Sequence, residues 1–375
     1  MCLLYLIVSL NIINITTKVY IMSSRGTRDE YKDRGLTGLQ NLGNTCYLNS
    51  VVQALSHTYE LHDFFKNKKW VKHVKNRFDS LILVEFNKLI HLMWTENCTI
   101  APKGFVSFVH KLAKNNNNHN FSGWSQNDAS EFLVFLLEGF HNALTRHVNM
   151  SIRGKINNDA DQIALKCCSR FKEIMQNDYS EMVEIFYGIQ ATIIYDVGGS
   201  RRIIKGPVCS IAAEPFFVLS IPVPPTADTI YNCLDAHTST ELLEGDNQWF
   251  NEKLGDGGAK QDAVKQLSFW SLPTVLIIDL KRYNYSGNKN QRMVDFPLDE
   301  LDMRPYVIGY DQHKYIYDCY AVCNHSGTMS GGHYTAYVKN ENGKWYHFND
   351  SVVTCIKKTL VASPKAYCLF YRLRS

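Results

Sequence analysis

The hydrophobic period of this chain changes once, near Gly188, and that change restricts the fold more than any other feature. Before it, apolar residues recur at helical spacing: Leu48, Val51, Val52 and Leu55 at i, i+3, i+4 and i+7, and Phe105, Phe108, Val109 and Leu112 in the same way. A dense run from Leu81 to Leu92 predicts a buried helix between them, and helical pattern returns from Ala164 to Phe186. After Gly188 the apolar runs are short. Strands are predicted over Ala191–Tyr195, Val208–Ile211, Phe216–Pro225, Thr274–Leu280, Tyr315–Cys323, Tyr334–Lys339, Trp345–Phe348 and Tyr367–Leu373. Helices first and strands later predict an α+β fold rather than a doubly wound sheet. The acidic stretch Glu241–Asp246 and Gly255–Gly258 mark an extended insertion with a loose tip. The Asn115–Asn118 tract reads as a mobile low-complexity loop.

The stretch Gly38–Gln53 runs from a turn-prone segment (Gly38, Asn41, Gly43, Asn44) into the first helix, and Cys46 falls at the junction. Asn44 or Thr45 is placed to cap that helix. A thiol in a first turn meets the positive end of the helix dipole, which favours thiolate and nucleophilic attack on an acyl group. The competing reading is a buried structural cysteine, a common fate of free Cys.

A nucleophile needs a base. Among thirteen histidines, His333 stands out in Ser326–Tyr337, where Gly327, Gly331 and Gly332 permit close backbone approach and a strand follows. His325 is its rival. Asn342-Gly343 is a hairpin signal. That hairpin returns Asn349 and Asp350 to the neighbourhood of His333, where a side-chain oxygen can fix the imidazole tautomer. Between the two motifs, Ser125 or Asn127 can cap a helix with Asp128 and Glu131 in its first turn. Capping alone accounts for both acids.

Composition narrows the class. The 375 residues are 45% apolar and 20% charged, which suits one large domain or two to three subdomains. A net charge of +4, with no basic stripe, argues against a nucleic-acid partner. Eleven cysteines, an odd number scattered through a long chain, argue against a disulfide framework and for a reducing compartment. Residues 1–21 are set apart: apolar to Leu10, then broken by Asn11, Asn14, Thr16, Thr17 and Lys18. The stretch is too short and polar for a membrane span and lacks the flanks of a secretory signal. Met22, opening a polar stretch, reads as an alternative start, and residues 22–35 as a flexible lead.

Gly38–Gln53 resembles the Cys box of the ubiquitin-specific protease family, and Tyr315–Asp350 resembles its His box. Gln126–Phe132 and Leu276–Tyr283 resemble the family's intermediate blocks, so that the likeness runs from Leu36 to Ser375. The resemblance implies a papain-like cysteine peptidase fold with a thumb (about 36–186), fingers (about 187–270) and a palm (about 271–375). It implies hydrolysis of the bond after the C-terminal glycine of ubiquitin, with ubiquitin and ubiquitinated proteins as partners and no cofactor. By motif, Cys46 is the nucleophile, His333 the general base and Asn349 the third member, assisted by Asp350. Asn41 is the oxyanion donor. Asp128 and Glu131 hold the basic ubiquitin tail, Tyr334 flanks the tail channel, and Gly331 and Gly332 narrow it to a Gly-Gly end. An intracellular location, cytoplasmic and/or nuclear, follows. A membrane is not expected unless residues 1–21 serve as an anchor.

The chain departs from the family in two places. Many members carry two Cys-x-x-Cys pairs that bind zinc in the fingers. The matching positions here are Tyr195–Gly198 and Asn251–Leu254, without a thiol, so no metal is expected. Cys319 and Cys323 read as strand core, and Cys167-Cys168 cannot readily face one ion. In the 126–131 block, Asn127 and Ser130 stand where the family usually has glutamines, which leaves the choice of ubiquitin-like modifier open. The alternatives are a catalytically silent ubiquitin-binding scaffold and the same chemistry on another modifier.

Overall fold

A computed structural model describes residues 28–197, 206–284, 286–328 and 331–374, together with the backbone of 5–9. The backbone at Tyr5–Ser9 forms β1. Helices follow through the first half: α1 (Cys46–Ser56), α2 (Tyr59–Lys66), α3 (Leu81–Thr95), α4 (Lys103–Asn115), α5 (Ala129–Leu144), α6 (Asp159–Met175) and α7 (Glu181–Phe186). Short strands β2 (Gly38–Leu39), β3 (Thr99–Ile100) and β4 (Asn149–Arg153) interrupt them. The predicted apolar face of α1 is present, but all eleven of its residues are buried. A helix buried all round lies inside the molecule rather than on its surface. Its polar residues are accommodated one by one: Gln53 Nε2 donates to Thr37 O, and the Ser50 and Ser56 hydroxyls donate to their own helix's carbonyls three residues back.

The structure adds detail to the helical half in two places. The pattern over Ala164–Phe186 divides into α6 and α7, because Arg146 and Tyr179 bridge between them and Arg146 forks onto Glu181 at 2.8 and 3.0 Å. The asparagine tract ends α4 with an ordered turn: Asn117 takes φ 54° and Asn118 N–H donates to Ala113 O.

The second half supplies β5 (Gly188–Asp196), β6 (Val208–Phe216), β7 (Leu219–Pro222), α8 (Ile230–Thr238), β8 (Glu241–Leu243), β9 (Trp249–Asn251), β10 (Ala259–Gln261), β11 (Ala263–Ser271), β12 (Val275–Lys281), β13 (Leu301–Asp302), β14 (Ile316–Thr328), β15 (Gly331–Lys339), β16 (Trp345–Asn349), β17 (Val352–Ile356) and β18 (Ala366–Leu373). The main sheet runs β17-β16-β15-β14-β18-β12-β7, with β13 paired on β14; β7 and β12 are parallel and the other pairs antiparallel. Strand β12 shows why this sheet is central. Val275 and Ile277 enter the core shared with α1, α3 and α5, while Leu276, Ile278 and Leu280 enter a second core under α8. Alternation with both faces apolar is what the Val-Leu-Ile-Ile run requires.

A smaller sheet, ordered β6-β5-β11-β8, carries the β9–β10 hairpin beyond it. Ile163 and Cys167 of α6 cover it against Ala191, Ile193 and Ala213. Tyr195 pairs with Val264 and Val208, and Asn251 ends β9; Gly198 lies outside the described residues. Among the described residues no three His, Cys, Asp or Glu side chains cluster as a metal would require. Strand β1 pairs antiparallel with β4, Tyr5 opposite Arg153. Residues 1–4 and 10–27, with the rest of the apolar lead and Met22, lie outside the described residues. Among the described residues no helix is long and apolar enough to cross a membrane.

Candidate active site

Neither expected side-chain cap is made at the start of α1. Thr45 occupies the cap position, but its hydroxyl accepts from Leu42 N–H at 3.0 Å, and the Asn44 amide donates to Trp124 O at 2.8 Å. Backbone groups of Tyr334, across the seam, and of Tyr47 and Cys46 instead pull the thiol towards its charged form. They do not decide the outcome. Cys46 is 5% exposed, and burial, with the nearby Asp350 charge, pushes its thiol above the ordinary range. Burial thus works against the thiolate that the helix start was expected to favour, and a neighbouring base would supply what the helix start does not.

The β15–β16 hairpin forms at Asn342-Gly343, with Gly343 at φ 79° and Lys339 opposite Trp345. It carries Asn349 Oδ1 to 2.7 Å from His333 Nε2. An amide oxygen can only accept, so Nε2 carries the proton and Nδ1 is the free basic nitrogen. His325 has a different setting. It is 3% exposed, Lys289 Nζ and Tyr283 Oη crowd its Nδ1 at 2.9 and 3.2 Å, and burial pushes it down to about 4.

Asp350 does not join the imidazole. It sits at φ 49° in the tight β16–β17 turn, and its carboxylate accepts from Asn41 Nδ2 at 3.0 Å and Asn49 Nδ2 at 2.8 Å. The reading of Asp350 as an assistant to His333 is thus replaced by a tie to Asn41. The Asn41 amide is fixed at its other end too, with Oδ1 accepting from Gly43 and Thr45 N–H at 3.0 and 3.1 Å. This leaves one Nδ2 hydrogen of Asn41 uncommitted. Sequence reasoning missed Asn49, which follows Cys46 by three positions and so shares its side of α1.

The remaining candidates assemble where the first turn of α5 meets β15 and β18. Asp128 is the α5 cap: Oδ1 accepts from Ser130 and Glu131 N–H, and Oδ2 from the Tyr334 and Tyr367 hydroxyls at 3.2 and 2.6 Å. Four donors from its own chain occupy this carboxylate. Glu131 is exposed, with Asn120 Nδ2 at 3.2 Å. Gly332 N–H donates to Gln126 Oε1 at 2.7 Å, and a Cβ on Gly332 would come within 2.3 Å of His325 Nε2. Only glycine fits there. Met329 and Ser330 lie outside the described residues. Gln126 and Tyr367 were not singled out from the sequence; the first stood in a recognised block, and no local signal marked the second.

The profile of the ubiquitin carboxyl-terminal hydrolase family matches residues 37–371. Ubiquitin carboxyl-terminal hydrolase 2 of Bos taurus is 32% identical over 94% of this chain, which spans 57% of that protein. The Homo sapiens protein of the same name is 33% identical over 91% of this chain, which spans 56% of it; the Gallus gallus protein is 34% identical, with 91% of this chain and 94% of that one aligned. Among solved structures, the SAGA Ubp8/Sgf11/Sus1/Sgf73 DUB module bound to ubiquitin aldehyde superposes with a TM-score of 0.68 at 26% identity, covering 92% of this chain and 71% of that one. The α+β arrangement is accordingly the papain-like one expected from the sequence. A cysteine at a helix start, a histidine and asparagine on a facing hairpin, and these likenesses together place the chain in the ubiquitin carboxyl-terminal hydrolase family.

Proposed function

We propose that the chain is a thiol-dependent deubiquitinase that hydrolyses the peptide or isopeptide bond after the C-terminal glycine of ubiquitin, without a cofactor. The observation that carries this reading is the 2.7 Å bond from His333 Nε2 to Asn349 Oδ1, on a hairpin packed against the helix that begins at Cys46. In this mechanism His333 Nδ1 takes the Cys46 proton as the sulfur attacks the glycine carbonyl. The free Asn41 Nδ2 hydrogen and the Cys46 N–H receive the developing oxyanion. Asp350 holds Asn41 in place rather than acting on the imidazole. The imidazolium then protonates the departing amine, and water, deprotonated by the same histidine, clears the thioester.

Gly331, Gly332 and Tyr334 line the tail channel in this reading. Because Asp128 is occupied by its own chain, Glu131 takes the basic side chain of the ubiquitin tail and Asp128 organises the channel wall. We assign the thumb to about 36–186, the fingers to about 187–270 and the palm to about 271–375. An intracellular site of action, cytoplasmic and/or nuclear, accords with ten free cysteines among the described residues. The test is a ubiquitin bearing a C-terminal electrophile. It should label the wild-type chain and leave Cys46→Ala unlabelled; a folded wild type that is not labelled would refute the assignment.

A further inference from the structure

A cavity of about 710 Å³ adjoins the candidate site, lined by Gln40, Asn41, Thr99, Asn349, Asp350 and Ser351. Every one of these residues is polar. The β2–β3 pair and the β16–β17 turn frame it: Leu39 N–H donates to Asp350 O at 2.9 Å, and Thr99 Oγ1 to Ser351 O at 3.1 Å. The single ionisable wall residue, Asp350, already has its carboxylate bonded to Asn41 and Asn49. Gln40 and Ser351 are exposed and offer an amide and a hydroxyl, each able to donate and accept.

The chemistry fixes which half of a substrate reaches this cavity. When the sulfur–carbon bond has formed and the carbon–nitrogen bond breaks, the nitrogen must lie within reach of the imidazole that gives it back the thiol proton. Asn349, the partner of that imidazole, is part of the cavity wall, whereas Gly332, Tyr334 and Asp128 are bonded to Gln126 and Tyr367 and none of these five lines the cavity. We infer that this cavity receives the leaving side of the substrate, a stretch of polypeptide carrying the isopeptide-linked lysine and recognised through its backbone rather than through charge. The inference rests on the deubiquitinase reading above. Its neutral donors and acceptors match peptide N–H and C=O groups, and no uncommitted charge selects the lysine's neighbours.

The experiment compares two substrates that share the same ubiquitin. One carries a lysine isopeptide inside a short uncharged peptide, and the other a C-terminal coumarin amide without any peptide. Gln40→Ala combined with Ser351→Ala should lower the ratio of kcat/KM for the peptide over the coumarin by about tenfold, the loss of one or two hydrogen bonds. Gln40→Lys, a change at an exposed position, should make acidic residues beside the lysine preferred over basic ones, where wild type discriminates little. A ratio unchanged in the first variant, or equal losses on both substrates, would overturn the inference. Wild type turning over neither substrate would overturn the deubiquitinase reading itself, an outcome separate from any change in the ratio.

Discussion

Burial outweighs the helix dipole at Cys46, and this sets how the thiol should behave. Burial raises its pKa and so makes it a weaker acid than an ordinary cysteine, which favours the neutral thiol over the thiolate at rest. Alkylation of Cys46 by iodoacetamide should therefore keep rising beyond pH 8, without a plateau at lower pH; a plateau below about pH 7 would reveal a resting thiolate. Asp350→Asn separates two effects. Removing a negative charge should move the alkylation profile to lower pH, while releasing Asn41 should cut kcat by roughly 10- to 100-fold. A loss of turnover with the alkylation profile unmoved would contradict the placement of Asp350 beside both groups. His333→Ala should abolish turnover, whereas His325→Ala should act on KM through Tyr334, which stacks on it at 4.4 Å. Cys46 and His333 were legible because glycine-rich turns beside regular elements are local patterns. The orientation of Asp350 was not, because residue spacing does not encode a left-handed turn residue that points its carboxylate at a loop more than 300 positions earlier.

Where α5 meets β12, the packing produces a consequence that no single element foretells. Asp279 is half-buried on β12, and desolvation pushes it up to about 6 despite bonds from Ser220 and Ser130, with the Asp128 charge adding to the rise. A carboxyl whose folded pKa exceeds its unfolded one stabilises fully only below the unfolded value, near 4, and that contribution is lost as pH climbs through about 6. Asp279→Asn should then raise stability at pH 7.5 by on the order of 2 kcal/mol, with the gain shrinking towards pH 5. Thermal melts at both pH values test this, and an equal gain at both would show that Asp279 is not held in the charged form at cost. Element types were mostly legible here. The apolar run of β12 predicted a buried strand, and the helical faces of α1 and α4 were present. Strand β11 was missed because its Ala-Val-Lys-Gln-Leu-Ser-Phe-Trp-Ser sequence lacks clean alternation, and β5 and β8 on either side bury it through pairing rather than pattern. The helical pattern over Ala164–Phe186 carries no sign of the break between α6 and α7, because local propensity does not register the Arg146–Glu181 pair that turns the chain.

Over the whole molecule, the open question from sequence was how the small sheet stays together when its two thiol-pair positions hold none. The apolar lead shows the same limit, since a run of five to ten apolar residues suits an anchor, a signal or a strand equally, and only pairing with β4 identifies Tyr5–Ser9 as a strand. In the small sheet the ladder supplies the answer. Strand β11 pairs with β5 from Ala263 to Ser271, β5 with β6 from Gly188 to Tyr195, and α6 covers one face through Ile163 and Cys167. Gln248 Nε2 reaches Asp262 at 2.9 Å and Lys265 reaches Glu241 at 3.1 Å, which tie β8 and the hairpin to the ladder. Exposed pairs of this kind contribute little, so the apolar cover carries the stability. Treatment with a strong chelator should accordingly leave both the melting temperature and labelling by the ubiquitin electrophile unchanged. Cys167→Ser, which puts a hydroxyl into the apolar contact between α6 and the sheet, should lower stability by about 1–3 kcal/mol. If the chelator lowered the melting temperature and added zinc restored it, a structural metal would be holding the sheet, and the burial argument would fail with it.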